Sequence, residues 1–249
     1  RTFVLAGAAG SDRLARMGRA RIGPARTADA VRSTDTFDPA AETIMLVTLD
    51  GRLLQRSFPP GCTLQDVIDQ ARALLDPQRL VVGVAVDGQD YLEQQLEVQL
   101  SQPLLPDVQV DLESADRSTV AVAALRAMAE EMERAADTLA EIARQLNAGQ
   151  SAEGVRRIGD FLKTWQNCRN VVLQSGALVG RNLLQVSIES GTVADCLADL
   201  VERLRDLRDA LEARDLVLLA DLMQYEIPEL CKKWKGLLLS LAESVACGA

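Results

Sequence analysis

From residue 116 to residue 247, apolar side chains return every three or four positions, and this rhythm constrains the fold more than anything else in the chain. A helix turns once in about 3.6 residues, so the spacing gathers apolar groups into a stripe that must be buried against a neighbour. Leu125, Met128, Met132, Ala135, Leu139, Ile142 and Leu146 form the first stripe. Val155, Ile158, Phe161, Leu162, Trp165, Cys168, Val172 and Val179 form the second, and Val193, Leu197, Leu200, Leu204, Leu207 and Leu211 the third. The fourth runs Leu216, Leu219, Met223, Ile227, Leu230, Trp234, Leu237 and Leu241. Asn147-Ala148-Gly149 before Ser151, then Ser190-Gly191-Thr192, then Asp215 supply the stops and caps between them. Four amphipathic helices with short links predict a predominantly antiparallel four-helix bundle. Aromatics are only 3% of the chain, so this core rests on leucine, valine and alanine.

Two features disturb the rhythm. Gly176 and Gly180 lie within the second stripe, where each costs about 1 kcal/mol against alanine. Either other backbone approaches closely there or the helix breaks, and close packing is the expectation at both. Pro228 cannot donate an amide hydrogen, so a kink is predicted near Tyr225.

Residues 45–114 carry a different pattern. MLVTLD and LLQRSF read as two strands joined at Asp50-Gly51, a tight-hairpin signal, and Pro59-Pro60-Gly61 stops the second. Thr63 is placed to cap a helix with Asp66 at its third position, and Leu64, Val67, Ile68, Ala71, Leu74 and Leu75 make its apolar face. LVVGVAV (80–86) is an uninterrupted apolar run, which predicts a central strand covered on both faces. Asp87-Gly88 signals a second hairpin, the stretch after Tyr91 reads equally as strand or short helix, and VQVDLE (108–113) alternates as a final strand. The order strand, strand, helix, strand, strand resembles a β-grasp, ubiquitin-like module. The expected fold class is therefore α+β, a small ββαββ domain followed by the helices. Activated carriers of that fold need a free Gly-Gly terminus. This chain runs on into helices and ends Cys247-Gly248-Ala249, so no carrier role is expected.

The runs VDGQDYLEQ…LPDVQVDLES and ARDLVLLADLMQYEIPEL…W resemble an uncharacterised bacterial family that pairs a small β module with a helical bundle. The resemblance spans roughly residues 45–245. It implies an architecture and transfers no site residues, since that family has no known activity.

Residues 1–44 begin with Arg1 and hold seven arginines, no lysine and five acids, for a net charge of +2. No helical or strand period is sustained there. A disordered arm and an upstream extension from a misplaced start, with Met45 opening the first strand, are the two expectations. A targeting peptide fits less well, because the apolar FVLAGAAG run precedes the arginines.

Histidine is absent, which removes Ser-His-Asp and Cys-His catalysis, histidine-ligated zinc and the Glu-x-x-His motif of di-iron bundles. The cysteines, Cys62, Cys168, Cys196, Cys231 and Cys247, show no metal or redox-pair spacing. Unpaired thiols fit a reducing compartment, so the cytoplasm is expected. Cys62 stands beside a helix start, where a thiol pKa can be lowered, but no base accompanies it. No phosphate-loop, nucleophile-elbow or dinucleotide fingerprint is present. No catalytic residue, metal ligand or cofactor is therefore expected.

Asp221, Tyr225, Glu226 and Pro228 are the candidate pocket residues, since carboxylates beside a tyrosine at a kinked helix can bind a cation or exchange protons. The plainer reading gives Asp221 to a cap and Tyr225 to the rim of the seam. Lys232, Lys233 and Lys235 around Trp234 form a basic-aromatic cluster, more simply a solvated face with Trp234 in the stripe. The net charge of −9 argues against nucleic-acid or anionic-membrane partners. The expected function is a non-enzymatic protein-interaction module, similar in general shape to bacterial flagellar or secretion export chaperones. The rival readings are a carboxylate-dependent, metal-assisted enzyme near Pro228 and a structural homodimer.

Overall fold

The computed structural model describes residues 45–248, apart from residues 57, 60, 92, 106, 189 and 190. The expectations for residues 1–44 lie outside that range. The described chain divides into two compact units, residues 45–115 and 116–248.

The first unit is a five-stranded mixed sheet with two helices. Its strands are β1 (Leu46–Leu49), β2 (Arg52–Leu53), β3 (Arg79–Val86), β4 (Gln89–Asp90) and β5 (Gln109–Asp116). Helix α1 (Leu64–Leu74) joins β2 to β3, and α2 (Glu93–Leu100) joins β4 to β5. The sheet order is β2-β1-β5-β3-β4, with β1 parallel to β5 and antiparallel hairpins β1–β2 and β3–β4 outside them. Both hairpins turn on Asp-Gly: φ is 52° and 74° at Asp50 and Gly51, and 50° and 76° at Asp87 and Gly88. Two successive positive φ values suit the strand twist, which is why this dipeptide recurs at such turns. Asp50 also accepts from the Ser114 amide at 2.7 Å and the Ser114 hydroxyl at 2.6 Å, tying the first hairpin to β5. Thr63 and Asp66 form the expected reciprocal cap of α1. Leu64, Val67, Ile68 and Ala71 of α1 are buried in one core with Val47, Val110 and Leu112 of the sheet.

Three expectations need correction here. LLQRSF is not a full strand: only Arg52 and Leu53 pair with β1, the Leu54 amide then bonds Val47, and the chain turns away to bury Phe58. The run 80–86 is not covered on both faces. Only Val84 is fully buried, Val82 is exposed, and β5 answers with polar residues, Glu113 lying beside Gly83 and Asp111 accepting from Thr48 at 2.6 Å. An apolar run records strand propensity as well as burial, and here it overstated burial. The ambiguous stretch after Tyr91 is the helix α2, which the ββαββ order left out.

The second unit holds α3 (Arg117–Asn147), α4 (Ser151–Val179), α5 (Val193–Ala213), α6 (Leu216–Asp221) and α7 (Ile227–Cys247). Helix α3 packs along α4 and α7 and also meets α6. The stripes are its core: Leu125, Leu139, Ile142, Ile158, Leu207, Leu219 and Trp234 are all fully buried. Each such burial contributes about 1.5–3 kcal/mol before entropy is counted. Trp165 and Trp234 meet edge to face, ring centres 5.5 Å apart, and Phe161 meets Trp165 edge to face in turn at 6.0 Å. Thr192 and Asp215 cap α5 and α6 as expected.

Between α4 and α5 stand a 3-10 turn, Leu183–Gln185, and a two-stranded ribbon, β6 (Ser187–Ile188) with β7 (Gly191–Thr192), which the sequence did not announce. At Gly176 the close approach is present: an added Cβ would stand 2.7 Å from the Arg181 carbonyl oxygen. At Gly180 it is not. Gly180 is the left-handed residue, φ 65°, that ends α4. The break expected near Tyr225 takes the form of a π-turn, Leu222–Glu226, closed by the Ile227 amide on the Leu222 carbonyl. Pro228 clashes with the carbonyl four residues back in a regular helix, and one extra residue per turn relieves that clash. Among the described residues no helix is long and apolar enough to cross a membrane.

Candidate functional site

The helical unit carries an open apolar cleft of about 410 Å³ where the start of α4 faces the junction of α5 and α6. Ala152 and Val155 come from α4, Leu211 from α5, Leu216 and Leu219 from α6, and Arg214 from the link. The junction is tight because Arg214 is left-handed, φ 56°, and because the Asp215 amide returns to the Ala210 carbonyl at 3.0 Å. Asp215 then turns its carboxylate onto the Leu218 amide at 3.0 Å and starts α6 at once. This geometry sets Leu216 and Leu219 of the run LVLL (216–219) in the cleft. Leu219 is buried and forms the floor, whereas Val217 is 71% exposed and Leu218 also reaches solvent beside it. Val155 is 41% exposed, so the first member of the second stripe lies outside the seam and in this cleft.

The charges around the cleft are largely committed. Arg156 pairs with Glu153 at 2.6 Å, Arg208 reaches Asp209 at 2.7 Å and Glu212 at 3.8 Å, and Asp215 serves as the cap. Arg214 makes no ion pair or side-chain hydrogen bond among the described residues.

A second cleft, about 280 Å³, lies between α3 and α4 over Ile142 and Phe161. Its rim is polar, and the charges there mostly pair along their own helices, Arg134 with Glu131 and Asp160 with Lys163 and Arg156. Hydrogen bonds from Lys163 hold the Asp160 carboxyl below its usual range. Such pairs one turn apart are the ordinary pattern of a solvated helix surface.

The residues singled out from the sequence line neither cleft. Asp221 and Glu226 are exposed, Tyr225 is 62% exposed, and Pro228 is half-buried. Glu226 pairs with Arg203 at 2.9 Å, bridging the π-turn to α5. Lys232, Lys233 and Lys235 pair with Glu229, Asp199 and Glu133, while Trp234 is buried beside Trp165. The basic-aromatic cluster is thus an ion-paired surface over a core tryptophan. The Cys62 thiol is pushed up, not down, by burial and by the nearby Asp66 carboxylate. Burial also pushes Cys168 and Cys231 to about 12. Among the described residues no three acidic or cysteine side chains are grouped to hold a metal ion.

Sequence reasoning passed over the cleft because it assigned Val155, Leu216 and Leu219 to the bundle seam. The signal available was the run of four apolar residues at 216–219, since a one-sided helix needs only two of them inside.

Residues 123–237 match a family described as a domain of unknown function (DUF8042). The matched span begins in α3 and ends in α7, so it contains the cleft and the π-turn and leaves out the sheet unit. The helical half thus resembles an uncharacterised family, and no curated protein or solved structure matches the chain.

Proposed function

We propose that the chain is a non-enzymatic, cytoplasmic protein-interaction module in which the cleft between α4 and the α5–α6 junction receives an apolar segment of another protein. The single observation that carries this reading is an open cleft walled by aliphatic side chains that are not fully buried, Val155 at 41% exposure with half-buried Leu211 and Leu216. Exposed apolar groups scattered singly are ordinary, but aliphatic groups gathered on the wall of a concavity mark a docking surface. Helix-in-groove recognition uses this kind of wall. Five free thiols, four of them buried, suit a reducing compartment.

The proposal includes a finer reading of the scaffold. A parallel β1–β5 pair flanked by two hairpins, with α1 packed on the sheet, supports a β-grasp-like first unit. Counting α6, the π-turn and α7 as one interrupted helix supports a four-helix bundle for the second.

Site-specific photocross-linking in the native cell tests the function. Benzoylphenylalanine at Val155 or Leu216, both in the cleft wall, should give one discrete heteromeric adduct. At Lys163, exposed on α4 away from the cleft, it should give none. Equal labelling at all three positions, or none at any, rejects the docking surface. The enzyme reading rests on the π-turn, a feature often found at functional sites. It predicts a rise in melting temperature with Mg²⁺, Mn²⁺ or a nucleotide, abolished by Asp221→Asn; the interaction reading predicts no shift.

A further inference from the structure

Among the described residues, four that are not glycine adopt positive φ: Asp50, Asp87, Asp107 and Arg214. Aspartate is among the residues that tolerate that conformation, and Asp50 and Asp87 are held in it by accepting backbone amides of β5, from Ser114 and Gln109. Arg214 has no such compensation. Its φ of 56° and ψ of 31° lie at a helix end where glycine is strongly preferred. Its side chain lines the apolar cleft, without an ionic partner among the described residues, in a chain of net charge −9. The nearby carboxylates are engaged elsewhere: Asp215 caps α6, and Glu212 and Asp209 lie against Arg208. A strained backbone position that keeps a cation at an apolar wall fits a role in recognition better than one in folding.

We infer that the cleft recognises a protein segment carrying a carboxylate next to bulky aliphatic side chains, with Arg214 pairing to that carboxylate while Val155, Leu211 and Leu216 receive the aliphatic groups. This inference rests on the docking reading above and gives the partner its chemistry. The guanidinium offers two parallel donors to a carboxylate, and aliphatic groups of the segment seated on the wall beside it would withdraw the pair from water and strengthen it. Apolar burial supplies affinity, and the charge sets which segments are accepted.

Two dyes separate the parts in the full-length chain. Anilinonaphthalene sulfonate presents aromatic rings with an anionic head, and Nile red presents an apolar body without charge. Arg214→Gly and Arg214→Gln should each weaken the sulfonate dye about five- to tenfold, as loss of a charge-assisted bond implies, and leave Nile red unchanged. Val155→Asp should weaken both. Arg214→Gly should also raise the urea midpoint of the helical unit, because glycine relieves the left-handed strain; a merely structural arginine would lower it. Unchanged sulfonate-dye affinity in both Arg214 variants overturns this inference while leaving the docking cleft standing. Indifference of both dyes to Val155→Asp overturns the cleft itself. A Val155 cross-link of twice the chain mass, in place of a heteromeric one, would assign the site to a second copy and overturn the proposed partner.

Discussion

Replacing Gly176 with alanine sets two opposed effects against each other within one helix. Alanine is favoured in a helix interior by about 0.8–1.0 kcal/mol. The added Cβ, however, would stand 2.7 Å from the Arg181 carbonyl oxygen and 3.4 Å from Leu183 Cγ. Relaxed carbon–oxygen contacts lie at about 3.3–3.6 Å, so the two backbones must part by roughly half an ångström or more. They are not free to do so, since the Arg181 amide donates to the Gly176 carbonyl at 2.9 Å and Leu183 is buried. Overpacking of this kind costs about 1–3 kcal/mol, and obstruction by backbone belongs at the upper end. The net expectation is a loss of about 1–2 kcal/mol. Gly159 on the same helix has nothing within 4 Å of its missing Cβ, so Gly159→Ala should gain about 0.5–1 kcal/mol. Gly154 meets the Leu146 side chain, Cδ2 at 2.7 Å and Cγ at 3.0 Å, with backbone no nearer than 3.8 Å, and should fall between them. Both tryptophans, Trp165 and Trp234, are buried in the helical unit, so their fluorescence during urea unfolding follows that unit alone. With a slope of about 1–3 kcal/mol per molar urea, Gly176→Ala should lower the midpoint by roughly 0.5–1 M and Gly159→Ala should raise it. If Gly176→Ala unfolds at the same urea concentration as Gly159→Ala, or a higher one, the 3-10 turn does not press on α4 and the reasoning fails.

Other expectations follow from single groups. Bonds from the Thr192 amide and hydroxyl hold the Asp195 carboxyl below its ordinary value. A carboxylate depressed in the folded state contributes fully above its unfolded pKa of about 3.9 and is lost as pH falls through the folded value. Asp195→Asn should therefore flatten the acid limb of stability below about pH 4, and an unchanged limb contradicts the cap. Cys247 is exposed while the other four thiols are buried. Ellman's reagent at pH 8 should show one fast thiol, absent in Cys247→Ser, with the others released on unfolding; two or more fast thiols would contradict the burial. Asp50→Ala removes both acceptors of Ser114, at 2.6 and 2.7 Å. It should cost about 1–3 kcal/mol, seen as faster amide exchange in β1 and β5; unchanged exchange would place the tie elsewhere.

Much of the fold was legible because its signals are local. Thr63 with Asp66, Asp215 as a cap, and both Asp-Gly turns act within four residues of themselves, and the structure uses each as the sequence announces it. Burial was less legible. The run 80–86 looked central but is half-exposed, and Val155 looked like a seam residue but reaches solvent. Periodicity states that a stripe exists and not how far the neighbouring helix extends along it. The candidate site suffered for the same reason: Asp221, Tyr225 and Glu226 stood out by residue type, whereas the cleft draws on three separated segments of ordinary residues.

Spacing and capping chemistry alone established which segments coil, where most of them stop, and that Pro228 must disturb the last helix, because these outcomes depend on backbone sterics within a turn or two. Packing between elements settled the rest. It inserted β5 between the two hairpins, parallel to β1, resolved Pro228 into a π-turn, and set the α5–α6 junction against the start of α4. Those arrangements rest on contacts between residues far apart in the chain, where no local preference of an amino acid selects one partner over another.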